Sequence, residues 1–200
     1  MSILSDRINN LSTSQTLAMA ALARELKAQG KDIISLSLGE PDFNTPDFIK
    51  EAAKRAIDEN YSTYSPVDGY LELKEAICRK FKRDNNLDYK PGNIVVSTGA
   101  KQSLYNIAQC MINPGDEVIL PAPYWTTYPE AIKLAGGKSV EVFADESQNY
   151  LVTVEQLEAA RTGKTKALLF CSPSNPTGSV YTPEQVKAIG EWALKNKIWI

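Results

Sequence analysis

The sequence predicts an α/β fold: a mostly parallel sheet with helices on both faces. Three observations carry this. Short apolar runs, Ile94-Val95-Val96, Val118-Ile119-Leu120, Val140 to Phe143 and Ala167 to Cys171, recur along the second half. Helix-length amphipathic stretches separate them, and strands alternating with helices indicate a parallel sheet. The pattern then opens one more helix and reaches Ile198-Trp199-Ile200, another strand-like run.

Taken in order, residues 14–29 suit a helix, with Leu17, Ala20, Ala21 and Leu26 near helical spacing, Ser14 as N-cap and Gly30 as stop. Ile33 to Leu38 is a short apolar stretch. Thr45-Pro46 reads as a helix start with proline at the first helical position, and the helix runs to about Asn60. YSTYSPVDG, residues 61–69, carries turn residues and reads as a loop. A helix fits from Gly69 to about Asn85, with Leu73, Ala76, Ile77 and Phe81 facing inward. Helices are then expected over 100–112, 125–135 and 153–161, between the strands. Thr182-Pro183-Glu184-Gln185 is a capping box opening the last helix.

Composition narrows the chemistry. The 200 residues are 43% hydrophobic and 23% charged, with a net charge of −2. These are ordinary values for a globular domain and give no electrostatic case for nucleic acid. No apolar run is long enough to span a bilayer, and the first residues lack a secretory signal pattern. The three cysteines, Cys78, Cys110 and Cys171, are far apart and suit a reducing cytoplasm. With no histidine anywhere, Ser-His-Asp and Cys-His catalysis and His-based metal sites are excluded for this chain by itself. No metal is expected.

Ligands of open α/β sheets bind beyond the carboxyl ends of the strands. After Val96 come Ser97-Thr98-Gly99-Ala100-Lys101-Gln102, a small-residue turn into a helix whose free N–H groups suit a phosphate. The bland reading is a tight turn without a ligand. After Leu120 come Pro121-Ala122-Pro123-Tyr124-Trp125, where two prolines stiffen a loop presenting aromatics. The bland reading is a Trp plugging the core. After Cys171 come Ser172 to Gly178, and Asn175-Pro176-Thr177-Gly178 is a turn signature. Together they offer a phosphate cradle, a stacking ring and a fixed amide, a set that suits a planar phosphorylated cofactor.

The segments SLGEPDF, YSTYSPVDG, STGAKQSLYN, PAPYWTTYPE and SPSNPTGSVY occur here in the order seen in class I aminotransferases. The resemblance covers nearly the whole chain and points to the bacterial aspartate aminotransferase branch. It implies a fold type I pyridoxal-phosphate enzyme, a homodimer with its active site at the subunit boundary. It implies cofactor contacts from Tyr64 (to the neighbouring subunit's phosphate), Gly99, Ala100, Lys101, Trp125 and Asn175. Gly39 would approach the substrate carboxylate through its backbone. The Lys101 side chain would help recognise a distal carboxylate, and Trp125 and Asn175 also face substrate. Ser14 and Thr16 lie where the N-terminal segment of similar enzymes closes over substrate.

The family pattern places an aspartate for the pyridine nitrogen, the Schiff-base lysine and two arginines after the segment matched here. The resemblance thus implies an N-terminal half: residues 1–45 as arm and small-domain segment, and 46–200 as the first part of the large cofactor-binding domain. No residue of this chain is then a catalytic lysine, and the fragment alone is expected to be inactive and marginally folded. The implied reaction moves an amino group between an amino acid, aspartate or another dicarboxylic one, and a 2-oxo acid, in the cytoplasm. Other readings are another fold type I enzyme such as a lyase, a non-catalytic product that binds a phosphate ligand or pairs with a full-length subunit, and a Rossmann-type nucleotide domain. The last lacks its glycine fingerprint.

Overall fold

The computed structural model describes residues 3–200. By its contacts the chain divides into two units: Ser14–Thr98, and Gly99–Ile200 together with the described residues before Ser14.

The first unit is built from helices. Helix α2 spans Gln15–Ala28 after a short α1 at Asp6–Asn9, which belongs to the other unit. The Ser14 side chain accepts the Leu17 N–H, as its N-cap reading requires, and Gly30 follows at φ 81°. Helix α3 spans Asp47–Asp58 with Pro46 as its N-cap, one position outside the place expected for it. Either position leaves the missing proline N–H without consequence, because the first helical donors have no intrahelical acceptor. Helix α4 spans Leu71–Asn85 and stops on Asn86, a left-handed residue at φ 54°.

Two expectations fail in this unit. Leu73 and Ala76 do not face inward: Leu73 is 44% exposed and Ala76 is exposed too, while Ile77 and Phe81 are half-buried. Helical spacing tells which side chains share a face but not what covers that face. Ile94-Val95-Val96 is not a buried strand. It is extended, but Val95 is 69% exposed and no ladder forms there. A β-branched run favours extended backbone, and a strand exists only where a neighbour supplies the other half of the hydrogen bonds. The Val96 N–H instead donates to Asp68 O at 3.1 Å. This brings Gly69, at φ 101°, so close to Val96 that a Cβ would lie 2.6 Å from its side chain. The buried Lys74 ammonium pairs with the Asp68 carboxylate on the same loop.

The second unit is the sheet. Helix α5 spans Ala100–Met111, β1 Glu117–Ala122, α6 Thr127–Leu134, β2 Lys138–Phe143, α7 Val154–Ala160, β3 Thr165–Leu168 and α8 Pro183–Asn196. The strand order is β2-β1-β3, and both ladders are parallel. Trp199 continues the sheet beyond β3 through a parallel bridge to Ala167, bonding through Leu168 N–H and Lys166 O. Thr182 and Gln185 exchange the two bonds of the capping box that starts α8.

Alternation along the strands divides the core. Ile119 and Leu168 turn toward α7 and α8, where Leu157, Ile189, Trp192 and Ala193 meet them. Val118 and Leu120 turn the other way, toward Ala108 and Ile112 at the end of α5 and Tyr128, Ala131 and Ile132 of α6. Ile119 and Leu120 are wholly buried. Helices therefore cover both faces of a parallel sheet, the predicted fold class. Residues ahead of α2 lie along α6: Glu130 accepts the Ser12 N–H at 3.1 Å, and Lys133 Nζ donates to Asn10 O at 3.2 Å. No described helix is long and apolar enough to cross a membrane.

Candidate functional site

The topology creates the site. From the carboxyl end of β1 the chain turns through α6 to β2 on one side; from β3 it turns through α8 to Trp199 on the other. The two exits diverge, and the crevice between them is the place where open α/β sheets hold ligands. Pro121, Pro123 and Tyr124 line it from the β1 side, Cys171, Ser174 and Asn175 from the β3 side, and Tyr128 from α6.

Gly99 precedes α5 at φ 81°, a conformation that glycine adopts without strain. Its carbonyl accepts the N–H groups of Gln102 at 3.2 Å and Ser103 at 3.4 Å. The N–H groups of Ala100 and Lys101 come before that first turn closes, so the helix itself gives them no acceptor. The exposed Lys101 ammonium lies 5.1 Å from the centre of the Trp125 ring, a cation–π contact. Trp125 in turn meets the edge of Tyr128, with centroids 5.6 Å apart and planes at 83°.

Two phenols border the crevice. Burial, and then the Glu141 carboxylate to which its hydroxyl donates, push Tyr124 up to about 12. Burial, and then the Cys171 thiol against its hydroxyl, push Tyr128 up to about 12 as well. Both stay protonated near neutral pH and serve as hydrogen-bond donors, not as bases.

The loop after β3 is tied tightly. Ser174 N–H donates to Ser179 O and Gly178 N–H to Ser174 O, each at 2.8 Å, and Ser172 Oγ accepts the Tyr181 N–H at 3.1 Å. The Asn175 backbone N–H donates to Cys171 Sγ at 3.3 Å. The Asn175 side chain is left exposed on a turn fixed by these bonds.

Of the residues singled out in the sequence, Gly99, Ala100, Lys101, Trp125 and Asn175 all belong to the sheet unit, and the contact between Lys101 and Trp125 joins the helix start to the aromatic loop. Gly39 and Tyr64 belong to the helical unit, both exposed. Gly39 has an ordinary φ and open space where a Cβ would sit, so the local backbone does not itself require glycine there. Sequence reasoning passed over Tyr128 and Cys171. Tyr128 could have been found, because it follows Trp125 by three residues at the start of a helix and so shares its face. Nothing local marks Cys171.

The model of the family "Aminotransferase class I and II" matches residues 31–200. An aspartate aminotransferase of Bacillus sp. (strain YM-2) is 52% identical over 99% of this chain and 50% of its own length. An aspartate/prephenate aminotransferase of Cereibacter sphaeroides is 52% identical over 100% of this chain and 50% of its own. The structure of the Thermus thermophilus aspartate aminotransferase with maleate superposes with a TM-score of 0.95 at 42% identity, over 99% of this chain and 52% of that one. The chain spans about half the length of these relatives.

Proposed function

The chain belongs to the class I and II aminotransferase family, and on that premise we propose that it forms the N-terminal half of a pyridoxal-phosphate-dependent aminotransferase acting on a dicarboxylic amino acid, aspartate first, and a 2-oxo acid. The observation that carries this reading is the Lys101–Trp125 contact at 5.1 Å, which sets the start of helix α5 beside a flat indole. The donor set fits a planar phosphorylated ring. Free N–H groups at Ala100 and Lys101 and the positive end of the α5 dipole suit its phosphate. The indole of Trp125 suits its face, and the amide of Asn175 its phenolic oxygen.

When bound, pyridoxal phosphate supplies the sink for the electrons released as the substrate Cα loses its proton. This chain's residues bind and orient. Gly99 permits the turn that aims two N–H groups at one phosphate. Lys101 adds a cation that a distal carboxylate can share, in keeping with the dicarboxylate maleate named with the Thermus enzyme. The Asn175 amide would hold the phenolic oxygen of the ring, and the protonated phenols of Tyr124 and Tyr128 border the crevice. Gly39 offers its backbone to the substrate carboxylate, and Tyr64 reaches the phosphate of a neighbouring subunit in a homodimer. The lysine that carries the cofactor lies in the other half. Residues 1–45 belong to the arm and smaller domain of the whole protein, and residues 46–200 to the first part of its cofactor domain. The place of action is the cytoplasm.

The test is an amino-donor screen on a version extended to family length, with pyridoxal phosphate and 2-oxo acids. Aspartate and glutamate should lead, and Lys101→Ala should lower kcat/KM for them more than for alanine. Equal rates on unrelated donors, or elimination in place of transfer, would favour the lyase reading.

A further inference from the structure

The two loops that carry Trp125 and Asn175 leave their strands in opposite directions, yet the proposed cofactor needs both at fixed positions at once. One chain of neighbouring residues crosses the gap. Tyr128, in the first turn of α6, is buried and packs edge-to-face with Trp125, the ring centroids 5.6 Å apart. Tyr128 and Cys171 line the same crevice, and the thiol is among the groups that raise the pKa of the phenol. Cys171 is half-buried, and its sulfur accepts the backbone N–H of Asn175 at 3.3 Å.

We propose that Tyr128 and Cys171 are a positioning pair that locks the Asn175 turn to the Trp125 loop across the crevice. The inference rests on the cofactor reading above and deepens it. Because Tyr128 stays protonated, it can donate to sulfur, and the sulfur still has capacity for the Asn175 N–H. Removing the sulfur frees that N–H and lets the Asn175 amide drift relative to the ring oxygen it would contact. Removing the hydroxyl loosens the same sulfur from the other side. Neither residue touches the cofactor in this account; each acts through Asn175 and Trp125.

The test uses the protein at family length, freed of cofactor and titrated with pyridoxal phosphate by visible absorbance, followed by a pH titration of that absorbance. Cys171→Ala should weaken cofactor binding about three- to tenfold, the scale of one net hydrogen bond. It should also move the pH midpoint of the absorbance, which a loss of global stability alone would not do. Cys171→Ser, whose hydroxyl can take the same N–H, should return affinity to within about twofold of the parent, a few tenths of a kcal/mol. Tyr128→Phe should move the midpoint in the same direction as Cys171→Ala. Cys110→Ala, on the exposed surface of α5, should change neither. Wild-type affinity and midpoint in both Cys171→Ala and Tyr128→Phe overturns the pair. If Cys171→Ala does not fold, Tyr128→Phe and Cys171→Ser decide in its place. A parent protein that takes up no pyridoxal phosphate overturns the functional reading itself, so the two failures are told apart.

Discussion

The sheet unit and the helical unit bury their apolar residues very differently. In Gly99–Ile200, strands β1 and β3 give two faces, and each face has its own cluster of buried side chains. In Ser14–Thr98 the buried residues are Ala20, Ile94 and the charged Lys74, and α3 buries none. Phe48, Ile57, Leu36 and Tyr61 are exposed there. A parallel sheet brings residues distant in sequence together from both sides. A single amphipathic helix only presents a stripe, which stabilises nothing until another surface covers it. The unit with its own core is also the one that holds five of the six residues proposed for cofactor binding, Tyr64 being the exception.

The largest expected effect breaks or keeps this contrast directly. Leu120→Ala empties a wholly buried position and should cost about 2–5 kcal/mol. Phe48→Ala on α3 should change the stability of this chain by less than about 0.5 kcal/mol. Urea denaturation reads both, and equal losses would erase the difference between the units.

Next in size is Tyr181→Phe. The Tyr181 hydroxyl accepts the Val152 N–H at 2.9 Å inside the sheet unit. Its loss should cost about 1–3 kcal/mol, because the buried donor is left unpaired. A neutral result in a urea melt would mean that the core tolerates an orphaned N–H. Thr182→Ala removes the N-cap of α8 and should cost about 1 kcal/mol by the same measurement.

The smallest effect at neutral pH concerns acid. The Arg161 guanidinium and then the Trp192 indole N–H hold the Glu158 carboxyl down to about 2, from an ordinary 4.5. A depressed folded-state value contributes stability that is present above pH 4.5 and is lost as pH falls toward about 2. Glu158→Gln should therefore flatten the acid limb of a thermal melt across that window. An unchanged limb would place the acid sensitivity elsewhere.

Much of the sheet unit was legible because its signals are local. The capping box at Thr182 and Gln185, the apolar runs at 118–120 and 140–143 and the proline-stiffened aromatic loop each act within a few residues. The helical unit was legible only in its element boundaries. Ser14 and Gly30 mark α2 correctly, but the inward face assigned to Leu73 and Ala76 failed, since burial depends on partners that periodicity does not name. Ile94-Val95-Val96 failed for the same reason, its donors turning to a loop in place of a strand. At the candidate site, the turns that carry Trp125, Asn175 and Gly99 were readable from proline and glycine punctuation. The place of Cys171 in the crevice lining was not, because no turn or spacing signal in the sequence shows where its sulfur sits.

The most direct measurement is tryptophan fluorescence of the family-length protein during titration with pyridoxal phosphate, comparing the parent with Trp125→Phe. The account predicts strong quenching in the parent, with most of that quenching and part of the affinity lost in Trp125→Phe. Equal quenching and affinity in both would contradict it, and would remove the cofactor from the crevice between β1 and β3.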